Sequence, residues 1–220
     1  MTIGLVLLVI AGVVVVAGVG QRVLDKLRLN DRQALLFIVL IIAGGFLPEI
    51  PITPQFSVNI GGALIPLGLC VYLWVKADTA LERARCLAAA LATGAVVYAL
   101  GRFMPNEPEE IVIDPGYMHG LAAGVIGYLF GQSRRGAFIA GVLGVMLANV
   151  AGAVYVWSQG VDQRLVLGGA GAFDVIVMTG LIAVLLSELV GELLERIQRG
   201  RRKPAREFVD GDFVRKEQDR

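Results

Sequence analysis

The sequence has little charge, little cysteine and almost no histidine. Charged residues make up 18% of 220, where a soluble domain carries about a quarter. Hydrophobic residues reach 56% and the mean hydropathy is +0.70. Two cysteines, Cys70 and Cys86, and one histidine, His119, have no metal-ligand spacing, so neither a disulfide scaffold nor a Cys/His metal centre is expected. The 28 glycines follow no triplet period, which removes collagen. There is no Walker motif and no Ser-His pairing with supporting context. No cofactor and no metal are expected. Nucleic acid is not an expected partner either, because no recognition fold or aromatic interleaving accompanies the basic residues.

What is present is a series of long charge-free runs. There are seven, and only the last is interrupted, by Asp174. A bilayer core takes about 20 apolar residues as helix, with roughly 17–25 tolerated. The runs predict an all-α polytopic transmembrane bundle with seven spans, at 2–20, 34–48, 59–75, 86–101, 117–131, 137–157 and 168–190. A basic amphipathic tail, 191–220, follows. The second and fourth runs are short and cross only if flanking Arg32, Arg85 and Arg102 snorkel; re-entrant segments are the alternative.

Basic residues stay cytoplasmic. With the N-terminus outside, 18 of the 20 Lys and Arg fall in four cytoplasmic segments, and only Arg102 and Arg164 do not. The opposite loops carry Glu49, Glu107, Glu109, Glu110, Asp114 and Asp162. The C-terminus is then cytoplasmic. The first run lacks a basic leader and a small-residue cleavage site, so it reads as a span rather than a signal peptide.

Small residues mark helix contacts, because they let backbones approach in lipid. Gly136, Ala140, Gly144, Ala148 and Gly152 recur every four residues in the sixth span. Gly120, Gly124, Gly127 and Gly131 mark the fifth, and Thr179, Ala183, Ser187 and Gly191 the seventh. Spans five to seven are therefore expected to pack as a unit. Pro66 is expected to kink the third span. In the tail, Arg199, Arg201, Arg202, Lys203 and Arg206 suit either a stop-transfer cluster or anionic lipid, worth about 1 kcal/mol per charge near the surface. Residues 207–220 suit either a small hairpin or disorder.

Ionisable groups within spans are costly, so they are functional candidates by default. Asp174 ends the glycine-rich stretch 168–173. Either it caps a helix starting at Val175, or the helix starts near Leu165 and Asp174 lies about 13 Å inside it. Histidine as a residue type titrates near neutral pH, so His119 suits proton relay or pH sensing, or simply a wetted interface. Asn149 suits an interhelical hydrogen bond or a ligand. Asn59, ahead of Ile60-Gly61-Gly62, looks like a helix cap. With Asp114 and Thr179 these groups outline a candidate polar pocket opening outward.

Three stretches carry a resemblance. They are Asn59-Ile-Gly-Gly-Ala-Leu-Ile-Pro66, Ala137-Phe-Ile-Ala-Gly-Val-Leu-Gly144, and Gly168-Gly-Ala-Gly-Ala-Phe-Asp174 followed by Thr179-Gly180. Together they resemble the domain-of-unknown-function family 1614 of prokaryotic polytopic membrane proteins. The resemblance implies a multi-pass protein of a prokaryotic plasma membrane, with Gly168, Gly169, Gly171, Phe173, Asp174, Thr179 and Gly180 as motif positions of unassigned role. Asn149-Val150 stands where the family often has an acid, and Val175 where a glycine is usual.

Two functions compete. One is a non-enzymatic membrane component, a carrier of a small solute or ion or an assembly factor, with its site at the polar pocket. The other is an intramembrane aspartyl hydrolase, in which two close carboxylates share a proton. Asp174 would then need Asp114 as its partner, since no other span carries a deep carboxylate.

Overall fold

A computed structural model describes Leu29 and residues 31–103, 115–130, 133–201, 206–209 and 212–215. The first expected span, Asp114, Arg202 and Lys203 lie outside the described residues. Two compact units are present, 1–188 and 189–220.

Six α-helices are described: α1 (Asp31–Gly45), α2 (Ile65–Val75), α3 (Ala80–Phe103), α4 (Pro115–Leu129), α5 (Arg134–Ser158) and α6 (Val175–Arg201). Three stretches are long and apolar enough to cross a membrane: Ala80–Phe103, Arg134–Ser158 and Val175–Leu194. Three shorter apolar stretches, Arg32–Gly45, Ile60–Val75 and Met118–Leu129, accompany them. Many large apolar side chains of the helices face outward, while small residues fill much of the interior. Leu91, Leu121 and Leu185 are half or more exposed, while Ala89, Ala90, Ala137, Ala140 and Thr93 are buried. Water would penalise that surface; hydrocarbon does not. The apolar helices point to a membrane protein.

Glycine positions set how closely the helices approach. The stripe on α5 faces α3. A methyl group at Gly144 would lie 2.6 Å from the Thr93 methyl, and one at Gly94 would lie 3.1 Å from the Gly144 carbonyl oxygen. The adjacent α5 face meets α6, with the Gly141 position 2.9 Å from the Thr179 carbonyl oxygen. Gly127 of α4 sits against Ala137, and Gly120 and Gly124 against Ile182 and Leu186. So α4, α5 and α6 do pack together, but the four-residue stripe itself serves a different neighbour, α3.

The chain is mostly helical, as expected, and carries one small sheet that the apolar runs do not predict. Strands β1 (Ile50–Thr53), β2 (Phe56–Val58) and β3 (Leu165–Leu167) form one sheet in the order β1-β2-β3. β2 pairs antiparallel with β1 and parallel with β3, with Ser57 opposite Val166. The chemistry is local. Pro48, Pro51 and Pro54 forbid helix continuation there, the β-branched Ile50, Ile52, Thr53 and Val58 favour extended backbone, and Pro51 sits on an edge strand, where a missing N–H is tolerated.

Two further starts differ from the expected spans. Residues Ile60–Leu64 form a π-helical turn that runs into α2. Pro66 therefore falls in the first turn of α2, and the change from π-helical to α-helical hydrogen bonding lies just before it. The last helix begins at Val175, seven residues inside the expected span, because 168–174 form a turn and a short 3-10 segment, Gly171–Phe173. In the C-terminal unit, β4 (Arg206–Val209) and β5 (Asp212–Arg215) make an antiparallel hairpin, with Val209 opposite Asp212. Of the two readings of the tail, the hairpin is the one observed.

Candidate functional site

Both strands of the parallel pair lead through glycine into a helix. β2 runs into Asn59 and the π-helical turn; β3 runs into 168–174 and α6. The two connections lie against each other. The Asn59 N–H donates to the Leu167 carbonyl at 2.8 Å. Backbone meets backbone here: a methyl at Gly62 would lie 2.2 Å from the Gly168 carbonyl oxygen, and one at Gly171 2.8 Å from Gly45 Cα. Gly168 and Gly171 also have φ of 71° and 60°, a region costly to residues with a Cβ. Two of the stretches singled out by resemblance thus form one junction, and the third packs beneath it through Gly141.

Polar side chains close this junction. Asn59, buried, accepts from the Gly62 N–H at 2.9 Å. The Asp174 carboxylate accepts from Ile176 N–H at 3.0 Å and from Ala170 N–H at 3.3 Å. Its own carbonyl accepts the first helical bond, from Met178 N–H at 3.0 Å. That is the geometry of an N-cap, with the extra bond tying the glycine loop to α6. Thr179 lies on the buried face of α6, and its hydroxyl finds no hydrogen-bond partner among the described residues. Gly180 is in close contact with Val142 and Phe138. Gly169 lies over Val166. At Phe173 only the backbone is described.

A cavity lies elsewhere on the same end of the bundle. Its volume is about 370 Å³, within the range of small-molecule sites. It opens between α3, α4, α5 and the start of β3, with His119 and Asn149 in its wall. Asp174, Asn59 and Thr179 do not line it. The structure therefore brings together two of the six residues expected to share a pocket. Three are at the glycine junction or in the α5–α6 contact, and Asp114 is outside the described residues.

Five polar residues that the sequence reading did not select also line the cavity: Tyr98, Arg102, Tyr155, Gln163 and Arg164. One signal was available. Arg102 and Arg164 are the only two of the 20 Lys and Arg outside the four basic segments. The Arg102 guanidinium lies 3.9 Å above the Tyr155 ring centroid and 5.7 Å from that of Tyr98. Arg164 is engaged with Glu49 at 3.1 Å and with the Ser57 hydroxyl at 3.3 Å.

The opposite end of the bundle is built from charge. Buried Arg135 donates to the Lys76 carbonyl at 2.8 Å and reaches Asp78 and Glu82 at 3.1 and 3.0 Å. Arg134 pairs with Glu188. Ser133 caps α5 through the Gly136 N–H and donates to Glu82 at 3.2 Å. A smaller cavity of about 220 Å³ lies beside this network, with Glu82, Arg85, Cys86 and Phe130 in its wall. No group of three or more potential metal ligands occurs among the described residues.

Residues 21–186 match the family described as "Protein of unknown function (DUF1614)". The chain belongs to this family. No curated protein and no solved structure matches it. The DUF1614 match reaches further toward the N-terminus than the three motif stretches, and it covers α1 to the middle of α6 together with the whole glycine junction. The tail hairpin lies beyond it.

Proposed function

We propose that the chain is a non-enzymatic multi-pass protein of a prokaryotic plasma membrane that binds a small solute and carries it across the bilayer. The reading has seven spans, the N-terminus outside and the C-terminus in the cytoplasm. The split of Lys and Arg supports the orientation. Lys76, Arg83, Arg85, Arg134 and Arg135 gather at the end opposite the sheet, while Glu49 and Asp162 are at the sheet end. The sheet end is then external. The basic residues of 199–206 are assigned to anionic lipid of the inner leaflet.

The observation that carries the functional part is the cavity at the sheet end, with an apolar floor and a few convergent polar groups. That combination is how small-molecule sites are built. The aspartyl-hydrolase alternative draws no comparable support. Each Asp174 oxygen accepts a backbone N–H, which is the work of a cap rather than of a proton-sharing pair.

Proteoliposome flux with a panel of small ions and neutral solutes tests the reading, comparing wild type with Asn149→Leu. Asn149 is exposed on α5 within the cavity wall, so leucine fills the site without disturbing buried packing. The expected result is solute-selective flux in the wild type that falls at least tenfold in the variant. Flux no greater than in protein-free liposomes for every solute overturns the reading, and so does equal flux in both proteins.

A further inference from the structure

Arg102 occupies the last turn of α3. It is one of two arginines at the cavity, and the two are held differently. Arg164 is engaged by Glu49 and Ser57. Arg102 has no carboxylate partner among the described residues; its contacts are Tyr155 and Tyr98, through the rings and through hydrogen bonding with their hydroxyls. Stacking on an aromatic face holds a guanidinium by cation–π attraction and fixes its plane. The guanidinium has more N–H donors than two tyrosine hydroxyls occupy. A guanidinium so held, with donors left over and no carboxylate partner among the described residues, can fork onto a planar or tetrahedral oxyanion.

The rest of the wall fits such a ligand. Asn149 and Gln163 place amide groups on the cavity, and His119 an imidazole. Val97, Ala148, Val156 and Leu165 supply an apolar floor. Among the described residues no carboxylate lines the cavity, so nothing in its described wall repels an anion.

Taking the solute-binding reading as its basis, we propose that this cavity is an oxyanion site: Arg102, stacked on Tyr155, grips a carboxylate or phosphate whose small apolar body rests on α3 and α5. The anion belongs either to a soluble acid or to a lipid headgroup at the membrane surface. Both present the same chemistry to the guanidinium.

Trp157 gives a local probe, because its indole N–H donates to the Gln163 carbonyl at 2.7 Å, beside the cavity. Full-length protein carrying Trp74→Phe, placed in phosphatidylcholine nanodiscs, leaves Trp157 as the one tryptophan. Titration with inorganic phosphate and with benzoate, against chloride at matched ionic strength, is expected to give a saturable change in Trp157 emission. Arg102→Lys keeps the charge and the stem but loses the fork, and is expected to weaken the response at least tenfold at an unchanged melting temperature in chloride. Arg102→Gln is expected to abolish it. A saturable response to the soluble anions identifies an acid solute. A response confined to nanodiscs containing phosphatidylglycerol identifies a headgroup phosphate. No saturable response in either membrane overturns the proposal, as does an equal response in Arg102→Lys. If neutral solutes or cations cross proteoliposomes while no anion is bound, the oxyanion assignment fails and the carrier reading stands.

Discussion

The two ends of the bundle are closed by different physics. At one end, glycines let backbone touch backbone, and the join is made by a strand pair and two caps. At the other, arginines reach from α5 to loop carbonyls and carboxylates. The first kind of join is short-ranged and steric: it tolerates no added atom but is indifferent to salt. The second is long-armed and electrostatic: it tolerates small shifts, loses strength with ionic screening, and fails when a charge is left alone. The proposed site belongs to neither join. It sits beside the glycine junction, on helices α3, α4 and α5 and the start of β3, and its helical wall can vary without loosening either closure.

The largest effect is expected from crowding the glycine junction. A methyl at Gly62 would lie 2.2 Å from the Gly168 carbonyl oxygen, and one at Gly168 2.4 Å from the Gly62 carbonyl carbon. Both obstacles are backbone and cannot rotate away. Overpacking alone typically costs about 1–3 kcal/mol and occasionally more. Gly168→Ala adds roughly 1–2 kcal/mol for left-handed backbone. Gly62→Ala and Gly168→Ala are each expected to remove most folded protein, measured as the monodisperse fraction after detergent extraction. Near wild-type recovery of both variants would show that the two loops do not touch.

The opposite end gives the next effect. Arg135→Leu leaves Glu82, itself half-buried, facing the space the guanidinium held, and frees the Lys76 carbonyl. Hydrogen bonds to charged groups contribute about 1.5–3 kcal/mol each when lost, less where water reaches the pair, as it does at Asp78. A loss of about 2–3 kcal/mol is expected, read as a lowered thermal midpoint. Raising the salt should narrow the gap between wild type and variant. A gap that does not move with salt would mean that the guanidinium acts by packing rather than by charge.

How much of this the sequence shows follows the same division. The helices were legible because apolar runs have a length that a bilayer dictates, and five of the expected apolar stretches overlap helices at 31–45, 60–75, 80–103, 115–129 and 134–158. The glycine-rich stretch ahead of Asp174 was legible only as one of two alternatives: the expected span, 168–190, included it, and a helix starting at Val175 was the other reading. The sheet was not. β2 and β3 pair across more than a hundred residues, and strands of three residues each carry too little alternation to be read alone. The wall of the cavity was half legible. His119 and Asn149 stood out as polar groups in apolar runs, whereas Tyr98 and Tyr155 are ordinary interfacial aromatics until Arg102 is seen lying on one of them. Asp174 was legible as unusual but not as to place: its position beside the glycine loop rather than in the cavity depends on the pairing of β3 with β2.

The smallest effect, and the sharpest on mechanism, concerns Asp174. A helix cap is served by one oxygen, and for that role Asn replaces Asp well while Ala costs about 1 kcal/mol. Here the carboxylate uses both oxygens, one on Ile176 N–H and one on Ala170 N–H. Asn has a single acceptor, so it keeps the cap and turns an amide N–H₂ toward the N–H of Ala170. The expected order of stability is therefore Asp above Asn above Ala. The whole span is about 1 kcal/mol, and Asn falls part-way rather than level with Asp. Equal melting temperatures for Asp174→Asn and wild type would show that the Ala170 bond is dispensable and the glycine loop is held by its backbone alone. The same variants separate the junction from the cavity. Asp174 does not line the cavity, so phosphate and benzoate titrations followed at Trp157 should be unchanged in Asp174→Asn once each protein is measured well below its melting temperature. A large loss of anion binding at full stability would place Asp174 in the working site after all, and would join two parts of the sheet end that the structure keeps apart.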